Sequence, residues 1–260
     1  MKKLSDIDIL RYEIAKAAAR SKEGHIASAY SILDILWVLY KNVIKLSKDE
    51  AGVEDKFILS KGHASLALYA IFLAMDIIDL EEFQTFGDYD SRLGGHPDSN
   101  KMREISASTG SLGHGLPICV GMAMALKINQ QSGKIFCLVG DGECNEGTIW
   151  EAALLAAHHK LQNLCCIVDF NHSTDRALEL GDLSNKFSAF GWDVIQIDGH
   201  NHVEILNALQ KKSQEKPVAI IAETIKGKGV KMMEGDPSWH HRSPTEADLK
   251  TIFEDLSNHA

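Results

Sequence analysis

Asp141 stands between two glycines in Gly140-Asp141-Gly142-Glu143, and Asn171 follows it thirty residues later. An acid and an amide supply two hard oxygens. Glycines beside the acid let the backbone come close to a ligand, and the start of the helix that follows favours negative charge. Yet Asp141 and Glu143 share one turn, and two carboxylates repel a bare diphosphate. A divalent cation resolves the conflict. Magnesium takes few protein oxygens and completes its shell with water and phosphate oxygens. The turn therefore reads as a magnesium-diphosphate site, with calcium as a possible substitute. Neither common phosphate loop is present. The third glycine of G-x-G-x-x-G falls on Asn145, and Lys226-Gly227-Lys228-Gly229 lacks the P-loop spacing.

Twelve histidines form the second source of chemistry. There is no H-E-x-x-H and no His/Cys cluster with zinc spacing. His25, His63, His96, His114, His172 and the pair His240-His241 lie in or beside glycine-rich or polar segments. Near a diphosphate such residues can donate to phosphate, bind sugar hydroxyls and move protons near neutral pH. Solvated loops also carry histidines that do nothing. Convergence on one edge of a sheet is what separates the two readings. His158 and His159 read as structural, and His200, His202 and His259 as surface residues.

The elements that must position these groups follow from apolar patterning. Lys134 to Val139 reads as a buried strand, Glu146 to Leu161 as a helix, and Leu164 to Asp169 as a second strand that delivers Asn171. In a parallel sheet both strand ends lie on one edge, so the two oxygens can meet on one cation. Further helices are predicted over Leu4 to Arg20, Ser28 to Ile44, Leu66 to Met75, Leu116 to Gln130, Val203 to Gln214 and Thr245 to Leu256, with a polar one from Asp79. Further strands are predicted at Phe57 to Leu59, Trp192 to Ile197 and Val218 to Ala222. Residues 87–115 and 226–244 read as long loops, which in compact domains are usually functional. The alternation predicts an α/β fold, a parallel sheet with helices on both faces, in one domain over residues 1–260.

Composition narrows the partners. The chain has 260 residues, 45% hydrophobic and 24% charged, with a net charge of −9. That balance argues against nucleic-acid or membrane-surface binding. Of five cysteines, Cys119, Cys137, Cys165 and Cys166 lie in apolar runs, while Cys144 in the Gly-Asp-Gly-Glu turn is a candidate reactive thiol. The count is odd and there is no C-x-x-C, which suits a reducing cytosol. The first residues, MKKLSDIDILRYE, lack a secretory apolar segment, and no apolar run approaches the ~20 residues of a membrane span. A cytoplasmic location is expected.

The Gly-Asp-Gly turn, the helix behind it and Asn171 resemble the thiamine diphosphate-binding motif. Gly24-His25, Leu59-Ser60-Lys61-Gly62-His63-Ala64, Gly94-Gly95-His96-Pro97 and Ser108 to Gly115 resemble transketolase, in the family's order, from Asp6 to about Leu249. The resemblance stops where a full transketolase is less than half complete, which implies the amino-terminal subunit of a split enzyme. It implies a thiamine diphosphate-binding fold and a magnesium shell of Asp141, Asn171 and the backbone carbonyl of Ser173, with Gly142 in the cofactor-binding turn. His63 would contact the diphosphate, and the backbone of Gly110, Ser111 and Leu112 would meet the cofactor. His25 and His96 would line the substrate channel. His241 would approach both cofactor and substrate, with His240 a rival for that place. Glu146 and Glu151 would face the partner subunit.

The implied reaction moves a two-carbon ketol unit from a ketose phosphate to an aldose acceptor. The implied partner is a carboxy-terminal subunit with the pyrimidine-binding domain and its cofactor-activating glutamate. Two copies of each chain would form a heterotetramer around a dimer of this one. Two departures stand out. The family usually has an apolar residue and then Asp-Gly where this chain has Asp175-Arg176-Ala177, and often glutamine where His114 stands. The subunit of another thiamine-dependent enzyme, such as a 2-oxo acid dehydrogenase, and a non-catalytic homologue remain open alternatives.

Overall fold

Short apolar runs rich in β-branched residues become strands, and they pair side by side. A computed structural model describes residues 4–46, 54–175 and 177–259. Strands β1 (Lys56–Leu59), β2 (Ile135–Gly140), β3 (Leu164–Phe170), β4 (Asp193–Asp198) and β5 (Val218–Glu223) form a sheet in the order β1-β2-β3-β5-β4. All four pairings are parallel. Gly140 lies opposite Asp169 and Phe170 opposite Glu223, so the segments that leave β2, β3 and β5 start together at one edge.

Alternation along each strand feeds two cores. Phe136 and Leu138 pack toward α1 (Asp6–Ser21), α2 (Ile26–Asn42), α3 (Ser65–Ala74), α8 (His202–Gln210) and α9 (Glu246–His259). Ile135, Cys137 and Val139 pack toward α5 (Gly115–Ile128), α6 (Gly147–His158) and α7 (Leu183–Ala189). This is the expected parallel sheet with helices on both faces. Helix α2 is held by packing. Ile32, Leu33, Leu36 and Leu39 are fully buried, at about 1.5–3 kcal/mol each. A cap contributes about 1 kcal/mol, and its N-cap residue His25 makes no side-chain capping bond.

Local chemistry trims the predicted elements. The polar helix α4 (Leu80–Phe83) is a single turn capped by Asp79. Helix α6 stops at His158, short of Leu161, because Lys160 turns left-handed at φ 50°. Helix α8 stops at Gln210, short of Gln214. Helix α7 was not expected. It is short and mostly polar, but Asp182 caps it through the Asn185 N–H at 2.9 Å and Phe187 is fully buried. The loop between α4 and α5 is pinned at Gly94 and Gly95, whose carbonyls accept from Ser65 and Tyr69. No helix among the described residues is long and apolar enough to cross a membrane.

Candidate active site

The edge where β2 and β3 end gathers oxygens. Asp141 follows β2 and is 2% exposed. Its carboxylate accepts from the Gly142 N–H at 2.7 Å and from the Ser173 hydroxyl and N–H, each at 2.9 Å. The same Ser173 N–H also donates to the Asn171 side-chain oxygen at 3.1 Å. Asp141 and Asn171 thus aim one oxygen each at a common point. The Asn171 amide nitrogen donates to Asp169 at 2.9 Å, which turns its oxygen outward. Asp169 is fully buried and also accepts from Lys61, Ser31 and Thr224.

Glu143, 1% exposed, has a different task from Asp141. It accepts from the Ser60 hydroxyl, the Gly113 N–H at 2.8 Å and the Gly140 N–H at 3.1 Å. Burial pushes its carboxyl above the usual carboxylate range, against the pull of those hydrogen bonds. It ties the 110–115 loop to the turn. Gly113 is required there: its φ is 85°, and an added Cβ would lie 2.4 Å from the Thr148 hydroxyl.

Beside this corner four histidines meet. The His25 ring lies 4.6 Å from that of His241, 4.8 Å from His63 and 5.6 Å from His240, between centroids. His25 reaches this position through a left-handed backbone, φ 67°, which costs a non-glycine residue energy and is typical of functional sites. Its Nδ1 is buried without a hydrogen-bond partner. Burial, then the neighbouring His241, His240 and Lys226, depress its pKa to about 4. Burial and then Lys61 lower that of His63 to about 2. Lys226 contacts His240 at 2.8 Å, and burial followed by Lys61 lowers its pKa to about 8. The His25, His63 and His240 imidazoles are therefore neutral at pH 7. Gly24 keeps His241 close, since an added Cβ would sit 3.0 Å from that ring.

These groups fit a metal and a diphosphate. The hard oxygens of Asp141 and Asn171 suit magnesium or calcium. The unsatisfied His25 nitrogen and Lys226 suit an anion. In this structure the Ser173 N–H and hydroxyl face Asp141. Among the described residues no cluster of three His, Cys, Asp or Glu side chains could hold a metal by itself.

Comparison with known proteins now decides the family. Residues 3–257 match the transketolase thiamine diphosphate-binding domain. The chain belongs to that family. An apulose-4-phosphate transketolase subunit of Phocaeicola vulgatus is 36% identical over 256 residues, 95% of this chain and 91% of that protein. The 6-deoxy-6-sulfo-D-fructose transketolase subunit SqwG of a Clostridium species is 36% identical over 242 residues, 90% of this chain and 88% of that one. The crystal structure of Campylobacter jejuni transketolase superposes with a TM-score of 0.87 at 33% identity, over 96% of this chain and 42% of that one. This chain thus spans under half of that transketolase.

Within the transketolase domain, the expected residues fall as follows. Asp141, Gly142, Asn171 and Ser173 form the oxygen corner, and His25, His63 and His241 share the adjoining cleft with His240. His241 packs on Gly24 whereas His240 pairs with Lys226, and both rings lie against that of His25. His96 is exposed at its rim and lies against Gly110, whose added Cβ would sit 3.2 Å from the ring. Ser111 is exposed, and Leu112 offers its carbonyl to His114 at 3.1 Å. Gly62 packs against Thr109 and the Gly110 nitrogen, which brings this loop beside His63. Glu146 and Glu151 are exposed.

Two expectations change. Cys144 is fully buried, and burial, then Glu143 and Asp141, push its thiol well above the ordinary range, so it is no reactive thiol. His200 is not a surface residue, since its side chain is 8% exposed and binds Asp34. Asp175 pairs with His172 at 2.8 Å, and His172 also contacts Glu223 at 3.1 Å. These two acids outweigh burial and raise the His172 pKa. Arg176 lies outside the described residues. Sequence reasoning missed Lys61, Asp169 and Lys226. The first sits in the Leu-Ser-Lys-Gly-His run, and the last belongs to the Lys-Gly-Lys-Gly run that fails as a P-loop.

Proposed function

We propose that this chain is the diphosphate-binding half of a two-subunit transketolase that moves a two-carbon ketol unit between sugar phosphates. One observation carries the reading: the paired oxygens of Asp141 and Asn171 and the His25, His63, His240 and His241 cleft lie together where the strands end. Relatives of similar length are named as single subunits of apulose-4-phosphate transketolases, which supports the split arrangement.

Asp141, Asn171 and the Ser173 carbonyl would hold magnesium, and His63 with the backbone of Gly110 to Leu112 would hold the diphosphate. Thiamine diphosphate, when bound, supplies the electron sink for breaking the carbon–carbon bond. The protein's part is positioning and proton traffic. The imidazoles of His25, His96 and His241 would each exchange a hydrogen bond or a proton with a sugar hydroxyl. Lys226 would offset the phosphate charge. The cofactor-activating glutamate and much of the sugar-phosphate grip would come from the carboxy-terminal partner, in a cytoplasmic heterotetramer. Helices α5 and α6 offer a face for assembly, with Ile128 73% and Leu154 61% exposed.

The test is ketol transfer between ketose and aldose phosphates with thiamine diphosphate and magnesium, by the purified chain with and without the co-expressed partner. Turnover is expected only with both. Robust turnover by this chain alone overturns the two-subunit reading.

A further inference from the structure

A buried polar strap lies behind the cleft. Asp34, in the middle of α2, is 5% exposed and takes three partners. Arg11 donates to it at 2.6 Å, and the His200 Nδ1 and His202 Nε2 each lie at 2.9 Å. Burial alone would push the Asp34 carboxyl up. The two histidine hydrogen bonds and the Arg11 charge more than reverse this, so it stays well below the usual range and remains ionised.

His200 has a second bond on its other side. The Ile225 backbone N–H donates to His200 Nε2 at 2.9 Å. An N–H can only donate, so Nε2 carries no proton and the ring proton sits on Nδ1, facing Asp34. The ring is thereby fixed in tautomer and in plane. Gly199 allows the close approach: its N–H donates to the Glu223 carbonyl at 2.7 Å, and an added Cβ would lie 2.4 Å from the Thr224 methyl.

Ile225 sits between two groups of the cleft. Thr224 before it binds Asp169, the residue that turns Asn171. Lys226 after it binds His240. Downstream, the Gly227 N–H reaches the Ala27 carbonyl at 3.0 Å and the Gly235 N–H reaches the Lys226 carbonyl at 3.2 Å. The chain has already left β5 at Ile225, so no strand partner holds that peptide. The His200 ring does.

We infer that Asp34 and His200 are positioning residues, which fix the Ile225 peptide and so aim Lys226 and His240 into the cleft. The inference rests on reading that cleft as the active site. Neither residue touches the cleft itself. A ring braced by a buried carboxylate replaces the sheet ladder for one residue, at the point where the chain turns toward His240 and His241.

The experiment follows Lys226 in the full chain, without substrate or turnover. Trace acetylation with acetic anhydride across pH, read by peptide mass spectrometry, gives the titration midpoint of the Lys226 amine. The wild-type midpoint should fall near 8, against 10.5 for a free lysine. His200→Ala and His200→Asn, which cannot accept from Ile225, should move it up by about one unit or more as the segment loosens into water. His200→Gln keeps an acceptor at the reach of Nε2 and should restore the midpoint. Thermal melts identify folded variants; if the alanine variant does not fold, the asparagine–glutamine pair decides. An unchanged midpoint in the folded asparagine variant overturns the inference, as does a glutamine variant that shifts as far. Calorimetry of Lys226→Met with thiamine diphosphate and magnesium tests the active-site reading separately. Unchanged affinity there removes the cleft's role and leaves the strap's geometry standing.

Discussion

The oxygen corner and the histidine cleft are neighbours with opposite designs. At Asp141 and Asn171 the structure's own donors already satisfy the oxygens, through Ser173, Gly142 and the Asp169 relay. In the cleft the polar groups press on one another, and the buried His25 nitrogen has no partner. The corner is negative and closed by exchangeable hydrogen bonds. In the cleft burial keeps His25 and His63 neutral, and Lys226 contacts His240. On the proposed function, the corner would take a cation and the cleft an anion.

The hardest way to break that comparison is at the corner. Asp141→Ala removes the anionic ligand. Affinity for thiamine diphosphate with magnesium should fall by ~100-fold or more, since even outer-shell losses cost 10–100-fold. The fold should survive, because the hydrogen bonds lost cost about 1–3 kcal/mol. Calorimetric titration decides, and unchanged affinity would remove the metal assignment.

How much of this was legible in the sequence depended on distance along the chain. The Gly-Asp-Gly turn and Asn171 are joined by one strand-helix-strand unit, so local patterning located both oxygens. The sheet followed from the apolar runs in the same way. The left-handed backbone of His25 left no trace in its residue type. His200 lies in Asp198-Gly199-His200, which looks like a solvated turn, and its partner Asp34 is 166 residues away. Helix α7 was invisible because its apolar content is little more than Leu183 and Phe187, both buried by tertiary packing. Asp169 read as the end of an apolar strand, and only packing shows that it gathers four donors.

A smaller effect separates roles inside the cleft. His63→Ala should weaken thiamine diphosphate by about tenfold, the scale of one charge-assisted hydrogen bond. His25→Ala and His96→Ala should leave that affinity within about threefold and lower turnover of the assembled enzyme. Isothermal titration beside steady-state kinetics makes the distinction. The reverse pattern would mean that the two groups exchange roles.

The cleft's near-neutrality has a pH signature. The His25 pKa falls from 6.5 to about 4 on folding, so the unfolded chain binds the extra proton between those values. The sign is definite: stability is present above pH 6.5 and is lost as pH falls toward 4. With the ring partly in solvent the full shift is discounted to about 1 kcal/mol. His25→Asn removes the titrating group. Its melting temperature should drop less between pH 7.5 and 5 than that of the wild type. Equal drops would show that burial does not hold His25 neutral.

The smallest effect on stability, and the sharpest test of how the corner is covered, lies on α6. This helix begins directly behind the Gly-Asp-Gly-Glu turn, and Leu154 on it is 61% exposed. Val203 on α8, on the other side of the sheet, is 67% exposed and serves as the control. Exposure alone does not distinguish them. Their surroundings do: Leu154 is next to Leu155, 44% exposed, on a helix that packs against α5 with its exposed Ile118 and Ile128. Leu154→Asp and Val203→Asp should each change the melting free energy by no more than about 0.5 kcal/mol, as surface substitutions usually do. Only Leu154→Asp should shift the chain toward monomer in sedimentation velocity and reduce recovery of activity with the partner. If both variants associate like the wild type, assembly uses another face, and the corner is covered from a side that α6 does not supply.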